Sequence, residues 1–273
     1  MFSIELFPPK TDAGMEKLQA AVAELLPLGP EYVSVTYGAG GSTQERTFAT
    51  VDWLVSQGVD TAPHLSCIGS DREEIGAILD RYRDQGIRRL VALRGDLPSG
   101  AGLGSLGELQ YANELVSFIR ERHGDLFHIE VAAYPETHPQ ANGAEADLRN
   151  FQRKAQAGAN AAITQYFYNA DAYFHFVRRC RAVGVEIPVV PGIMPISNYS
   201  QLARFSDACG AEIPRWLRKQ LQDCGDDLER IRALGLEVVS ELCQRLLDGG
   251  APSLHFYSMN QAGPTREILA RLV

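Results

Sequence analysis

The chain of 273 residues is poor in the usual sequence marks of reactive or targeted proteins. Its five cysteines, Cys67, Cys180, Cys209, Cys224 and Cys243, are odd in number and scattered, and none forms a CxxC pair. That argues against a disulfide framework and a zinc ribbon, and fits reduced thiols in a cytoplasmic protein. There is no HExxH, and His64, His128 and His138 do not share metal-ligand spacing, so no metal is expected. Ser42 and Ser66 lack a GxSxG elbow, which speaks against acyl transfer. No apolar run is long enough to span a bilayer. The N-terminus, Met1-Phe2-Ser3-Ile4-Glu5, has no basic segment leading into an apolar one, so no signal peptide is read. Basic residues are outnumbered, 26 to 34, for a net charge of −8. An acidic surface argues against nucleic acid and anionic membranes as partners.

What is present is alternation. Short apolar runs at residues 2–7, 32–35, 61–66, 89–93, 128–132, 161–165, 188–190 and 253–257 read as strands. Helical patterns lie at 13–26, 43–56, 72–85, 108–122, 144–157, 170–183, 198–205, 226–248 and 264–272. Ser70-Asp71 and Asn169 look like helix N-caps. Residues 209–225 break the rhythm as an insertion with a short helix around Trp216. With 45% apolar residues and no linker, the expectation is one α/β domain, a (β/α)8 TIM barrel. An open doubly wound sheet is the rival. It concentrates ligand residues at one switch point, whereas here polar residues end most of the apolar runs.

Glu5 is the sharpest candidate. A carboxylate in an otherwise apolar barrel strand is costly unless paired or used, and its type suits a general acid. The alternative is a structural ion pair. Arg94-Gly95-Asp96 ends the fourth run; it suits either a phosphate and heterocycle contact or a local Arg–Asp turn. Gly38-Ala39-Gly40-Gly41-Ser42-Thr43 could hold an anion at a helix start or be a capped loop. The GxGxxG at 102–107 comes too far after its strand for a dinucleotide fingerprint and reads as a loop. Asp147, Asn150, Arg153 and Lys154 recur at helical spacing, as a solvated face or, with Arg94, as a pyrophosphate cradle. Tyr166-Phe167-Tyr168 could stack on a flat ring or pack in the core.

Several segments together carry a resemblance. Residues 2–9, Val33-Ser34-Val35-Thr36-Tyr37, Ala62-Pro63-His64-Leu65, Leu93-Arg94-Gly95-Asp96-Leu97-Pro98, Ala133-Tyr134-Pro135-Glu136, Ile163-Thr164-Gln165, Pro191-Gly192-Ile193-Met194-Pro195 and Leu254-His255-Phe256-Tyr257 occur in order, almost end to end. The sequence resembles the bacterial 5,10-methylenetetrahydrofolate reductases. The resemblance implies a (β/α)8 barrel with non-covalent FAD and ping-pong hydride transfer from NADH or NADPH to the folate. The product, 5-methyltetrahydrofolate, would supply methyl groups for methionine synthesis. By the same resemblance Glu5 is the general acid, and Asp96 lies by the flavin and contacts the pterin. Gln165 and Gln201 are folate contacts, and Phe205 shapes the shared nicotinamide/folate site. Thr36, His64, Arg94, Gly95, Tyr111, Ala112, Tyr134, His138, Asp147, Asn150, Arg153 and Lys154 are flavin-site positions. The family often has Asn-Arg after the last strand, where this chain has Asn260-Gln261. Gln261 remains a substrate-binding candidate that has lost a charge. NADH is favoured over NADPH, a homo-oligomer is expected, and no C-terminal regulatory domain is expected. The competing readings are a flavin-independent reductase, another FAD barrel such as a proline dehydrogenase relative, and a non-catalytic folate-binding subunit.

Overall fold

Each strand sends alternate side chains to opposite faces, and the burial pattern follows that period. On β1 (Phe2–Leu6), Ile4 and Leu6 join the large outer core between sheet and helices. On β4 (Arg89–Leu93), Leu90 and Ala92 do the same. The intervening residues form a second, separate cluster: Tyr32, Ala62, Val91 and Ile163, with Leu93 and Tyr257 packed against it. Two cores divided by a sheet are what a closed barrel requires, one outside the strands and one in the lumen. The computed structural model describes residues 1–37, 41–95 and 107–272.

All strand pairs are parallel, in the order β7-β6-β5-β4-β3-β2-β1-β9-β8. The others are β2 (Val33–Val35), β3 (Thr61–Ser66), β5 (His128–Ala133), β6 (Ala161–Thr164), β7 (Val189–Val190), β8 (Gly192–Ile193) and β9 (Leu254–Tyr257). The expected seventh strand is therefore two short ones split at Pro191, which has no N–H to contribute. β7 pairs with β6 and β8 with β9, so this broken strand is the seam that closes the ring. Counted as one, it makes eight strands.

Helices cover the outside: α1 (Asp12–Leu25), α2 (Gly41–Ser56), α3 (Arg72–Asp84), α4 (Ala112–His123), α5 (Ala144–Gln156), α6 (Ala170–Ala182), α7 (Tyr199–Cys209), α8 (Arg215–Asp223), α9 (Leu228–Asp248) and α10 (Ala262–Leu269). α3 shows why they form. Asp71 and Glu74 make a reciprocal capping box, a cap worth about 1 kcal/mol. Ile75, Ile78, Leu79 and Tyr82 then recur on one face and are buried, at roughly 1.5–3 kcal/mol for each large apolar side chain. Asn169 caps α6 as expected, accepting from Asp171 N–H. α4 begins at Ala112, not near residue 108. Glu108 instead accepts a hydrogen bond from Arg72 N–H, and Tyr111 is extended, with its N–H and that of Gln110 held by Glu114. The short helix around Trp216 is α8.

Candidate active site

Glu5 projects into the lumen near the C-terminal mouth of the barrel, in register with Ser34 on β2 and Tyr257 on β9. Its side chain is 18% exposed. His64 Nε2 lies 3.4 Å and His255 Nε2 3.6 Å from the same oxygen, Oε2. On its other side His255 Nδ1 is 2.7 Å from Ser3 Oγ. If Ser3 donates to Nδ1, the His255 N–H sits on Nε2 and faces the carboxyl. Oε1 of Glu5 has no hydrogen-bond partner among the described residues. Burial depresses the His64 pKa, while Glu5 pulls it the other way. Neither Nε2 has a geometrically sound hydrogen-bond partner among the described residues.

The other lumen carboxylate makes a contrast. Glu130 is 2% exposed, 2.8 Å from Arg89 Nη1, and accepts the Tyr32 hydroxyl at 2.6 Å. Arg89 also lies over the Tyr32 ring at 4.2 Å. Arg89 opens β4 and Tyr32 precedes β2, so this cluster plugs the N-terminal mouth, where barrel residues serve stability. A fixed cation holds Glu130 as a charge partner. Glu5 has two histidines beside it and no Lys or Arg within ion-pair distance among the described residues.

The flavin-site candidates lie at the C-terminal ends of β2 to β5 and on α5. Thr36 follows β2, its N–H bonded to Leu6 O and its own carbonyl accepting from Thr47. Gly95 has φ +87, and a Cβ there would fall 1.9 Å from Ser66 Oγ, so only glycine fits. Ser66 Oγ meanwhile donates to Arg94 O at 2.8 Å, and the Arg94 guanidinium reaches Gln140 at 2.5 Å. Asp96 and residues 38–40 and 97–106 lie outside the described residues. Tyr111 is 55% exposed at the start of α4, with Ala112 next to it. Tyr134 and His138 meet edge to face at 4.4 Å, and Asp147 accepts His138 N–H at 2.8 Å. On α5, Asn150 and Arg153 are exposed and bonded to each other. Lys154 turns inward and donates to Ala132 O. Burial brings its pKa down to about 8, with Asp147 partly opposing. A cation in a dry place with one carbonyl partner is an incomplete arrangement that an anionic or oxygen-rich ligand would complete. Arg94, Lys154 and the α5 group thus fit a phosphate-bearing cofactor.

Among the substrate candidates, Gln165 ends β6, its Oε1 bonded to Tyr166 N–H at 3.0 Å. Gln201 is in the first turn of α7, which Asn198 caps through Gln201 N–H. Phe205, on the same helix, is 38% exposed. Gln261 is the exposed N-cap residue of α10. Tyr166, Phe167 and Tyr168 are buried, and Phe167 stacks on Tyr173. They are core, not a ring platform. No group of three metal-ligating side chains exists among the described residues. Burial raises the thiols of Cys67, Cys180 and Cys243, to about 11, 12 and 12, which makes them poor nucleophiles.

The residue-by-residue reading did not single out Ser3, His255 and the Tyr32–Arg89–Glu130 plug. The usable signal was the strand period: Ser3 and His255 occupy the inward phase that Glu5 and Tyr257 define.

Comparison with known proteins agrees with this geometry. Residues 1–273 match the family described as methylenetetrahydrofolate reductase. The chain is 39% identical over 261 residues to the 5,10-methylenetetrahydrofolate reductase of Escherichia coli, covering 95% of this chain and 86% of that protein. It is 40% identical over 261 residues to that of Pectobacterium carotovorum, with the same coverage. It also matches 46% of methylenetetrahydrofolate reductase (NADH) 1 of Arabidopsis thaliana at 39% identity, over 95% of this chain. In fold it resembles a solved Clostridium thermocellum protein described as binding two copies of 5-methyl-5,6,7,8-tetrahydrofolic acid, with a TM-score of 0.69 and 16% identity over 99% of this chain and 93% of that one. The chain belongs to the methylenetetrahydrofolate reductase family.

Proposed function

We propose that the protein reduces 5,10-methylenetetrahydrofolate to 5-methyltetrahydrofolate at the C-terminal mouth of the barrel, with NAD(P)H as reductant and FAD held on the rim. The observation that carries this reading is Glu5: a lumen carboxyl with one oxygen between two histidines and the other without a partner among the described residues.

The reaction needs a proton and a hydride in different places. The carbon–nitrogen bond to N10 must break before the methylene carbon can accept hydride, and the departing nitrogen must be protonated. A protonated Glu5 donates through Oε1 as that bond opens. Burial disfavours the charged form of His64, with Glu5 opposing, so the proton for the folate is drawn from Glu5 in this reading and not from His64. Ser3 fixes the His255 ring, which sits with Nε2 3.6 Å from the Glu5 carboxyl. In this reading Gln165, which follows β6, hydrogen-bonds the pterin, and Phe205 lies along the substrate. Asp96 is assigned to the pterin and flavin by family membership alone.

Arg94, Tyr134, His138, Asp147, Asn150, Arg153 and Lys154 would hold FAD, with Thr36, His64, Gly95, Tyr111 and Ala112 beside it. Bound there, FAD would carry hydride between nicotinamide and folate. The test is an anaerobic titration of the purified protein, first with NADH and then with NADPH, followed by methylenetetrahydrofolate. A flavin spectrum that bleaches with the nicotinamide and returns with the folate is expected. A colourless protein that still converts the folate would make the reductase flavin-independent. A yellow protein that leaves the folate unchanged would remove the substrate assignment.

A further inference from the structure

The segment that follows β5 meets the end of α7 beside the C-terminal mouth of the barrel. The first carries Tyr134 and His138, the second Gln201 and Phe205. Two contacts join them. Gly210, the left-handed residue that ends α7 at φ +75, sits on Pro139: a Cβ there would fall 3.3 Å from that ring. Two residues on, Glu212 N–H donates to Glu136 Oε2 at 2.8 Å, across 76 residues of sequence. The joint is tight. Between Tyr134, Glu136, Gln165, Tyr166, Cys209 and Gly210 it leaves a cavity of about 10 Å³, room for at most one water.

The two sides of the joint are anchored differently. The β5 side has its own fastenings: His138 N–H donates to Asp147, Gln140 N–H to His138 Nδ1, and the Arg94 guanidinium to Gln140 Oε1. Thr137 between them has φ +78, a costly conformation for a β-branched residue. Such a residue persists where the chain around it is held on both sides. Its turn gives Glu136 to α7 and His138 to α5. Helix α7 is capped at its start by Asn198. At its other end it is held by Glu136 and by Tyr166, whose hydroxyl lies 3.0 Å from Ser206 Oγ and 3.5 Å from Cys209 Sγ. Phe205 directly precedes Ser206, and Gln165 directly precedes Tyr166. The grip on the end of α7 therefore sets the spacing of two substrate candidates.

We propose that Glu136 is a positioning residue: its side-chain oxygen holds the end of α7 to the β5 segment and thereby fixes Phe205 and Gln201 relative to the flavin for both hydride transfers. What the joint needs is reach, not charge. Burial works against the Glu136 charge, with the Glu212 N–H opposing, and an amide of the same length offers that N–H an oxygen as well. The inference rests on the reductase reading above.

Stopped-flow absorbance of the FAD-loaded protein tests it, at saturating NADH and then at saturating methylenetetrahydrofolate. Glu136→Ala should slow flavin reduction and folate reduction alike, each by about 10- to 100-fold, the scale of a misplacement of roughly 1 Å. Its FAD dissociation constant should stay at the wild-type value, because the β5 side keeps its own fastenings. Glu136→Asp keeps the charge, shortens the reach by one methylene and should be slow in both halves. Glu136→Gln keeps the reach, loses the charge and should retain most of the wild-type rate in both. These two variants carry the test if the Ala variant does not fold. Wild-type rates in Glu136→Asp, or a Glu136→Gln as slow as Glu136→Asp, would overturn the proposal. So would a loss of FAD in step with the loss of rate, which would make Glu136 part of the flavin site. A wild-type protein that reduces its flavin and leaves the folate unchanged would overturn the reductase reading instead.

Discussion

The ring of Tyr257 fills the space that a side chain at residue 192 would need. A Cβ on Gly192 would lie 2.6 Å from Tyr257 Cε2 and 2.2 Å from the Thr164 carbonyl oxygen. The Tyr257 hydroxyl donates to that same carbonyl at 2.7 Å, and Thr164 Oγ1 accepts Gly192 N–H at 2.9 Å. Three strands are thereby locked across the seam where the barrel closes. Gly192→Ala should cost at least about 1–3 kcal/mol, the usual cost of overpacking. Urea unfolding measures it. A loss under about 0.5 kcal/mol, the scale of a neutral surface change, would mean that the seam can relax.

The plug at the opposite mouth separates stability from chemistry. Glu130→Gln keeps the shape but leaves Arg89 without its counter-charge. A fully buried pair broken this way costs about 3–5 kcal/mol. Arg89 is 22% exposed, so a loss of up to about 3 kcal/mol is expected in denaturant unfolding. The turnover of the folded fraction should stay near the wild-type level, because Glu130 contacts Arg89 and Tyr32, and the Tyr32 ring, stacked 6.2 Å from His255, keeps its place when Gln retains the shape of the carboxylate. Reduced turnover at full folding would place Glu130 in the active-site network instead.

Acid should loosen the fold before the carboxylates titrate. Burial lowers the pKa of His64, His123 and His128. Unfolded histidine titrates near 6.5. Below that value the unfolded chain takes up protons that the folded chain refuses. The histidine contribution is thus complete above about pH 7, begins to fall as pH drops below about 6.5, and keeps falling until the depressed folded-state pKa values are passed. Glu136, raised by burial, works in the opposite sense nearer the carboxylate range. Urea midpoints at pH 7.5 and 5.5 should show the decline, and His64→Gln should reduce its slope. A flat profile would show that these histidines charge freely in the folded protein.

Much of this architecture is legible in the chain, for identifiable reasons. Barrel strands alternate strictly, so a lone carboxylate in Phe2-Ser3-Ile4-Glu5-Leu6 stands out, and Glu5 does reach the lumen. Helix caps such as Asp71 and Asn169 act locally and are readable for that reason. What the chain conceals depends on distant partners. Glu108 looks like the first turn of a helix but serves Arg72, 36 residues earlier. Tyr166-Phe167-Tyr168 satisfies either a ring platform or the core until Ser206, Met194 and Tyr173 are placed around it.

Glu5→Gln should separate the two half-reactions. Hydride transfer from NADH to bound flavin requires no proton on the folate. The amide has the shape of the carboxyl and can keep its contacts with His64 and His255, so this half should proceed at close to the wild-type rate. Folate reduction differs, because the nitrogen leaving the methylene carbon must be protonated and an amide cannot supply that proton. General acid catalysis commonly contributes about 10²–10⁴-fold, and the folate half-reaction should slow by that order. Stopped-flow absorbance of the flavin follows each half separately. Equal slowing of both halves would make Glu5 a structural residue. Unchanged rates in both would mean that the folate meets the barrel at another strand end.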